Sequence, residues 1–356
     1  MKRVKEVMDV WFDSGSMPFA QDHYPFENKS LIDTEGGYPA DFISEAIDQT
    51  RGWFYTLHAI GILTGKGKAF KNVICLGHIL DKNGKKMSKS LGNVVNPFEI
   101  MDKYGADPAR FWMYSINQPG ESKNFDEKTV DEVVKKVFNL ASNVLSFYQM
   151  YKSDDVEANS NSKNILDKWI LARLNQLVDD VTKNLDSYKF FESSRAIREF
   201  IGDLSQWYLR RSRDRFKGDE SSEAKSTTKF VLINLAKVMA PFAPFFAEEL
   251  YREVGGTLES VHLEDWPKAE AYDAKILTIM DVVRNLSSKG LEARNSAKIN
   301  VRQPLQSLKV STSFRDALND LEAQSVIQDE VNVKEVVFAD LKEDQVELDT
   351  NITASL

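Results

Sequence analysis

The sequence predicts an α/β segment over residues 1–125, a connecting helix and linker over 126–164, a helical bundle over 165–300, and the start of a small α/β region over 301–356. Three observations carry this. Strand-like and helix-like stretches alternate through the first 120 residues. Apolar residues then recur at helical spacing to about residue 300, and short β-branched runs reappear after it.

In the first segment, "NVICLG" (72–77) is a short apolar run with β-branched residues, which predicts a buried strand. Asn83-Gly84 marks a tight turn. The lysine-rich "KKMSKSLGN" (85–93) is therefore an exposed loop after a strand. Asn96-Pro97 then supplies an N-cap and an N1 proline before "FEIMDKY", with Gly105 as the stop. Asp107-Pro108 repeats the start signal for "ARFWMYSI".

From Thr129 to Tyr151 a helical stripe follows, then a polar stretch (152–164) with linker composition. Further helical patterns cover 165–186, 193–213, 226–240 and 244–254, with Ile197, Ile201, Leu204 and Tyr208 on one face of the second. "APFAPFF" (240–246) separates the last two. "SLKVSTS", "VNVKEVVFADL" and "DQVELDT" then predict short strands in a small α/β element beginning near Val301.

A chain of 356 residues with 42% hydrophobic and 28% charged residues is an ordinary globular composition, long enough for two or three domains. The apolar run Trp53 to Gly65 is too short for the ~20 residues of a membrane span. The basic N-terminus lacks the apolar core of a secretory signal. The single cysteine, Cys75, excludes an intrachain disulfide and a cysteine-based zinc site, and fits a reducing, cytoplasmic location. The net charge of −8 is uneven: residues 321–356 carry nine acids against Lys334 and Lys342, while Arg210, Arg211, Arg213, Arg215 and Lys217 crowd one stretch. A basic face can coexist with an acidic tail.

Phosphate chemistry needs positive charge where negative charge builds, and lysine on a pliable loop delivers it without blocking entry. A lysine cluster alone is more often a solvated surface loop. The pattern decides the matter: Lys86-Met87-Ser88-Lys89-Ser90, between a strand and a capped helix, resembles the KMSKS signature of class I aminoacyl-tRNA synthetases. "DVWFDSG" (9–15) and "EAIDQTRGWF" (45–54) are similar to the isoleucyl branch, in the same order and at matching spacing. Downstream, "DKWILARLNQL", "FFESSRAIREFIGDLSQWYLRRSRDRF", "APFAPFFAEELY", "SVHLEDWP" and "KINVRQPL" resemble the same branch's helical anticodon-binding region. The valyl branch is the alternative. It resembles this region but differs at Asp13-Ser14-Gly15 and at Asp48-Gln49-Thr50-Arg51.

The resemblance implies the second half of a Rossmann-like catalytic domain followed by an anticodon-binding domain. It implies ATP, with Mg²⁺, and L-isoleucine as substrates and tRNA(Ile) as partner. Lys86, Met87, Ser88, Lys89 and Ser90 would bind the triphosphate, with Lys89 and Lys86 as the catalytic candidates. Glu45, Asp48 and Gln49 would face the aminoacyl-adenylate, where acids and amides suit an ammonium group and a ribose. Trp11 and Trp53 would wall the side-chain pocket; core packing is their bland alternative. The implied chemistry is attack of the already ionised carboxylate on the α-phosphate, needing no general base, then transfer to a terminal ribose 2′-hydroxyl.

Arg210, Arg211, Arg213 and Arg215, beside Trp207 and Tyr208, are candidates for tRNA contact through arginine forks and aromatic stacking. Basic residues at a helix C-terminus also serve the helix itself, and both roles are open here. The family's other signature, His-x-Gly-His, is not made by His23, His58, His78 or His262. The resemblance therefore implies a piece cut at both ends, inactive in activation by itself. A non-catalytic tRNA-binding module, or one half of a split enzyme, is the competing reading.

Overall fold

The computed structural model describes residues 2–153, 156–218, 221–342 and 345–351. Of the acids counted toward the C-terminus, Glu343 and Asp344 lie outside them, as do Asp154 and Asp155 of the polar stretch. The chain divides into two compact units. One runs to Lys135 and takes in Lys183–Arg195, and the other comprises Lys136–Thr182 and the chain from Ala196 onward.

The first unit holds α1 (Val10–Ala20), α2 (Lys29–Asp33), β1 (Ala40–Ala46), α3 (Trp53–Leu63), β2 (Phe70–Leu76), β3 (Ile79–Leu80), α4 (Pro97–Tyr104), α5 (Ala106–Ser115), β4 (Lys123–Asn124) and α6 (Glu127–Val133). β1 and β2 pair in parallel, Ala40 opposite Phe70 and Glu45 opposite Cys75. β3 and β4 form a second parallel pair. Asp9 caps α1 by accepting the Trp11 N–H at 2.8 Å. Gly15 then lets α1 lie against α3: a Cβ there would stand 2.7 Å from the Thr56 carbonyl carbon. Phe19, Ile32, Ile43, Phe54, Leu57 and Ile60 fill the core beneath them.

Two expectations are corrected here. β2 is not a buried strand: Val73 and Leu76 are 46% and 40% exposed. A strand in a two-stranded sheet has a single neighbour, so its apolar run is covered only in part. The start signal at Asp107-Pro108 also falls two residues late. α5 begins at Ala106, with Gly105 (φ 96°) closing α4 and opening α5. Asp107 lies inside the first turn and pairs with Arg110. At α4 the expectation holds: Asn96 accepts the Phe98 N–H at 3.1 Å and Pro97 stands at N1.

In the second unit the long helices are α7 (Asn139–Tyr151), most of α8 (Ile165–Asp186), the latter half of α9 (Phe190–Gly202), α11 (Ser221–Met239), α12 (Pro244–Val254) and α13 (Ala274–Ser296). α9 runs through a π-helical stretch, Asp203–Leu209, into the short α10, Arg210–Ser212. The predicted stripe of Ile197, Ile201, Leu204 and Tyr208 is fully buried. α13 was not among the predicted patterns, because its apolar face is sparse along 23 residues. The small α/β element is β5 (Leu305–Ser311), α14 (Leu321–Val331), β6 (Val333–Ala339) and β7 (Glu347–Leu348), in strand order β6-β5-β7. The buried Arg294 joins α13 to it, donating to the carbonyls of Val331 at 2.6 Å and Asn332 at 2.7 Å.

Asp167, in the first turn of α8, has no exposed surface. It accepts both prongs of Arg215 (2.8 and 2.7 Å), the Tyr208 hydroxyl (2.8 Å) and the Ser162 hydroxyl (2.8 Å). Burial, then the Asp167 charge, pushes the Tyr208 hydroxyl well above its usual pKa and keeps it a donor. Removing one partner of such a pair strands a buried charge. Asp167→Ala is expected to lower the stability of the helical unit by about 3–5 kcal/mol. Replacing Asp167 and Arg215 together by apolar residues should cost less than the sum of the single changes, as read by urea denaturation followed at the helical circular dichroism signal.

Candidate functional site

Two places in the fold gather the residues that the sequence singles out. The first is the carboxyl edge of the β1–β2 pair, the side at which open parallel sheets bind ligands. β1 ends at Glu45 and Ala46 and runs into a 3₁₀ turn, Ile47–Arg51, before α3. Glu45 and Asp48 are exposed there. Gln49 folds back instead: its Oε1 accepts the Trp53 N–H at 3.0 Å, capping the start of α3. The Trp53 indole donates to the Ser14 carbonyl at 3.1 Å. Trp11 closes over Gly52, where a Cβ would stand 3.3 Å from its ring and 2.7 Å from Gln49 Oε1. The fold thus brings Trp11, Gln49 and Trp53 together around Gly52, with both indoles partly open to solvent.

The lysine loop leaves the same edge through β2 and β3. Leu80 bridges antiparallel to Lys86, and the Asn83-Gly84 turn closes between them with Gly84 at φ 76°. Ser88 caps a 3₁₀ turn over Lys89–Leu91, and Gly92 at φ 64° ends it. Ser88 and Ser90 share a hydroxyl contact of 2.6 Å. Met87 turns inward to line an apolar cavity of about 420 Å³ with Ile79, Val95, Ile100, Trp112 and Met113. Lys86 and Lys89 are exposed and make no ion pair among the described residues. A ligand that brought negative charge to them would displace no internal partner.

The second place is a polar cleft of about 850 Å³ in the helical unit, lined by Trp207, Arg210, Arg211, Arg213, Arg284 and Glu330 among others. The four arginines expected to face tRNA part company here. Arg215 is committed inward to Asp167 and does not face the cleft. Arg211 is nine-tenths buried, stacked on Trp207 at 3.4 Å and paired with Glu330 at 2.6 Å. Burial pulls its guanidinium down to about 10. Arg210 is largely exposed, reaching Glu330 at 3.4 Å, and Arg213 is exposed beside the Phe147 ring. Arg215 therefore serves the fold, Arg211 lines a wall, and Arg210 and Arg213 remain open. Reading the sequence missed Arg284, which pairs with Asp203 at 2.8 Å and adds a further cation to the cleft from α13. No local signal announces it, because its partners lie some 80 residues away in the chain.

No group of three or more His, Cys, Asp or Glu side chains is placed to hold a metal ion among the described residues. No helix there is long and apolar enough to cross a membrane.

Comparison with known proteins agrees with this arrangement. Residues 1–126 match the family of class I tRNA synthetases for I, L, M and V, and residues 167–310 match the anticodon-binding domain of tRNA ligases. Isoleucine–tRNA ligase of Dehalococcoides mccartyi (strain CBDB1) is 45% identical over 95% of the chain and 35% of its own length. That of Clostridium tetani (strain Massachusetts / E88) is 44% identical over 96% of the chain and 34% of its own length. The chain spans about a third of the length of these curated relatives. Among solved structures, a ternary complex of Agrobacterium radiobacter K84 agnB2 LeuRS with tRNA and LeuAMS superposes with a TM-score of 0.59 at 23% identity, covering 75% of this chain and 34% of that one. Mycobacterium tuberculosis methionyl-tRNA synthetase in complex with methionyl-adenylate does so at 0.59 and 22%, over 70% and 51%. These two likenesses speak for the fold. The chain thus joins a segment of the class I tRNA synthetase family, residues 1–126, to an anticodon-binding domain of tRNA ligases, residues 167–310.

Proposed function

We propose that the chain acts in isoleucine–tRNA ligation, supplying the KMSKS loop for ATP-dependent activation of L-isoleucine and a helical surface for tRNA(Ile). One observation carries the reading. Lys86 and Lys89 are exposed, with no ion pair among the described residues, on a loop leaving the carboxyl edge of a parallel strand pair. The isoleucine branch is favoured over the valine branch by the relatives that match nearly the whole chain. A reducing cytosol is the compartment that fits.

In the activation step the isoleucine carboxylate attacks the α-phosphorus of ATP and pyrophosphate leaves with the electrons of the broken P–O bond. The carboxylate is ionised already, so no base is needed. What lowers the barrier is neutralisation of the triphosphate by Lys89 and Lys86, with the Mg²⁺ that arrives on ATP. Trp11 and Trp53 offer flat apolar walls to a branched alkyl chain, and the exposed carboxylates of Glu45 and Asp48 suit an ammonium group or a ribose. In the second step a ribose 2′-hydroxyl attacks the carbonyl carbon and AMP leaves. Arg210 and Arg213 are the cations of the cleft most open to the tRNA backbone, and Trp207 offers part of a stacking surface.

The test of activation is isoleucine-dependent ATP–pyrophosphate exchange in a synthetase that joins this chain to a His-x-Gly-His half. Lys89→Ala is expected to lower kcat about 10²- to 10³-fold with the thermal midpoint unchanged, and Lys86→Ala to lower it less. The 356 residues by themselves, having no His-x-Gly-His, are expected to show little exchange. Robust exchange by them, lost in Lys89→Ala, would overturn that expectation. For tRNA, Arg210→Ala and Arg213→Ala should each weaken filter binding and reduce the salt slope by about 1. Arg215→Ala should instead lower stability. Equal binding of tRNA(Ile) and unrelated tRNAs would refute the isoleucine assignment of this surface.

A further inference from the structure

Asn93 uses nearly every polar atom of its side chain on the lysine loop. Its Oδ1 accepts the Ser88 N–H at 2.9 Å, while its Nδ2 donates to the Lys86 carbonyl at 3.2 Å and to Asp81 Oδ2 at 2.9 Å. Asp81 is shared in turn, since its Oδ1 accepts the N–H groups of Asn83 and Lys85, each at 2.9 Å. We propose that Asn93 and Asp81 form a staple that positions Lys86 and Lys89, fixing the backbone beside the first lysine and just before the second while leaving both ammonium groups free.

The Asp81 contacts to residues 83 and 85 are local and would be made by any well-formed turn. The Asp81–Asn93 bond is different, because it ties the chain entering the loop to the chain leaving it, twelve residues on. Among the described residues, Asn93 is the one side chain bonded to both residue 86 and residue 88, which bracket the inward-pointing Met87. The loop is thus held from two sides, by Met87 in its apolar cavity and by the amide of Asn93. The Lys89–Leu91 turn beyond them is held by local bonds, from Ser88 and from its own backbone. Asn93's hydrogen bond, followed by the Lys85 N–H, holds the Asp81 carboxyl below its ordinary pKa, so the acceptor stays charged across the neutral range. Asparagine alone of the short side chains both accepts and donates in this way. Aspartate has no donor to give, and serine cannot reach three partners.

The catalytic consequence rests on the proposed function: a lysine whose backbone wanders meets the triphosphate in the wrong place more often. The loop can be examined without activity, so the two ideas separate. In the chain itself, Asn93→Ala is expected to speed hydrogen exchange at the Ser88 amide about tenfold. It should also hasten tryptic cleavage after Lys86 and Lys89, with the global melting temperature unchanged. The exchanged pair Asp81→Asn/Asn93→Asp rebuilds the 81–93 and 88–93 bonds and should restore Ser88 protection, whereas Asn93→Asp alone should not. In the joined synthetase, Asn93→Ala should lower exchange kcat about ten- to hundredfold with KM for isoleucine unchanged. Asp81→Ala/Asn93→Ala should be no worse than the more damaging single change. Unchanged Ser88 exchange and cleavage in Asn93→Ala would overturn the staple. So would unchanged activity of Asn93→Ala in a joined synthetase whose activity Lys89→Ala, made separately, abolishes. If Asn93→Ala loosens the loop but Lys89→Ala leaves activity intact, the staple stands and the activation reading falls.

Discussion

A carboxylate wholly out of water sets the arrangement of the helical unit. Asp167 can be tolerated there only because an arginine fork, a phenol and a serine hydroxyl converge on it, from α8's approach, the π-helical stretch and the segment after α10. Those partners fix which face of the α9–α10 run points inward. Arg215 is drawn off the surface, Arg211 is turned onto Trp207 and Glu330, and Arg210 and Arg213 are left facing outward. The cleft is a by-product of that choice, its walls being the side chains the buried charge did not claim.

The two candidate sites handle cations in opposite ways. In the cleft, guanidinium groups are planar, weakly hydrated and easily shared, and Arg211 and Arg284 already rest against acids and an indole. Such a wall is preorganised and pays its desolvation before any ligand arrives. In the loop, the ammonium groups of Lys86 and Lys89 stand in water with no ion pair among the described residues, and the bonds of Asn93 fix the backbone beneath them. That division suits a group that must meet several phosphate oxygens in turn.

Much of this was legible in the sequence. Asn96-Pro97 and Gly105 bound their helix where capping chemistry says they should, and "PFFAEELYREV" begins and ends as read. The KMSKS residues lie on a turn between a strand and that helix. Most of what was not legible depends on residues far apart in the chain. The exposure of β2 depends on how many strands flank it. The inward turn of Arg215 depends on Asp167, 48 residues earlier. Asn93 reads as turn punctuation until Asp81 is seen across from it. Gln49, expected at the adenylate, is occupied in capping α3, which local pattern alone could have suggested, since it precedes Trp53 by four residues.

The π-helical stretch Asp203–Leu209 sets the phase of everything that follows it on the same rod. A π-turn holds one residue more than an α-turn, and one residue of α-helix is about 100° of rotation. Chain length between 203 and 209 is therefore an angular setting. A single-residue deletion in an exposed loop would leave that phase alone. Within the π-helical stretch it would swing Arg211 and Arg215 away from Glu330 and Asp167 together. This part of the chain can change its side chains far more freely than its count.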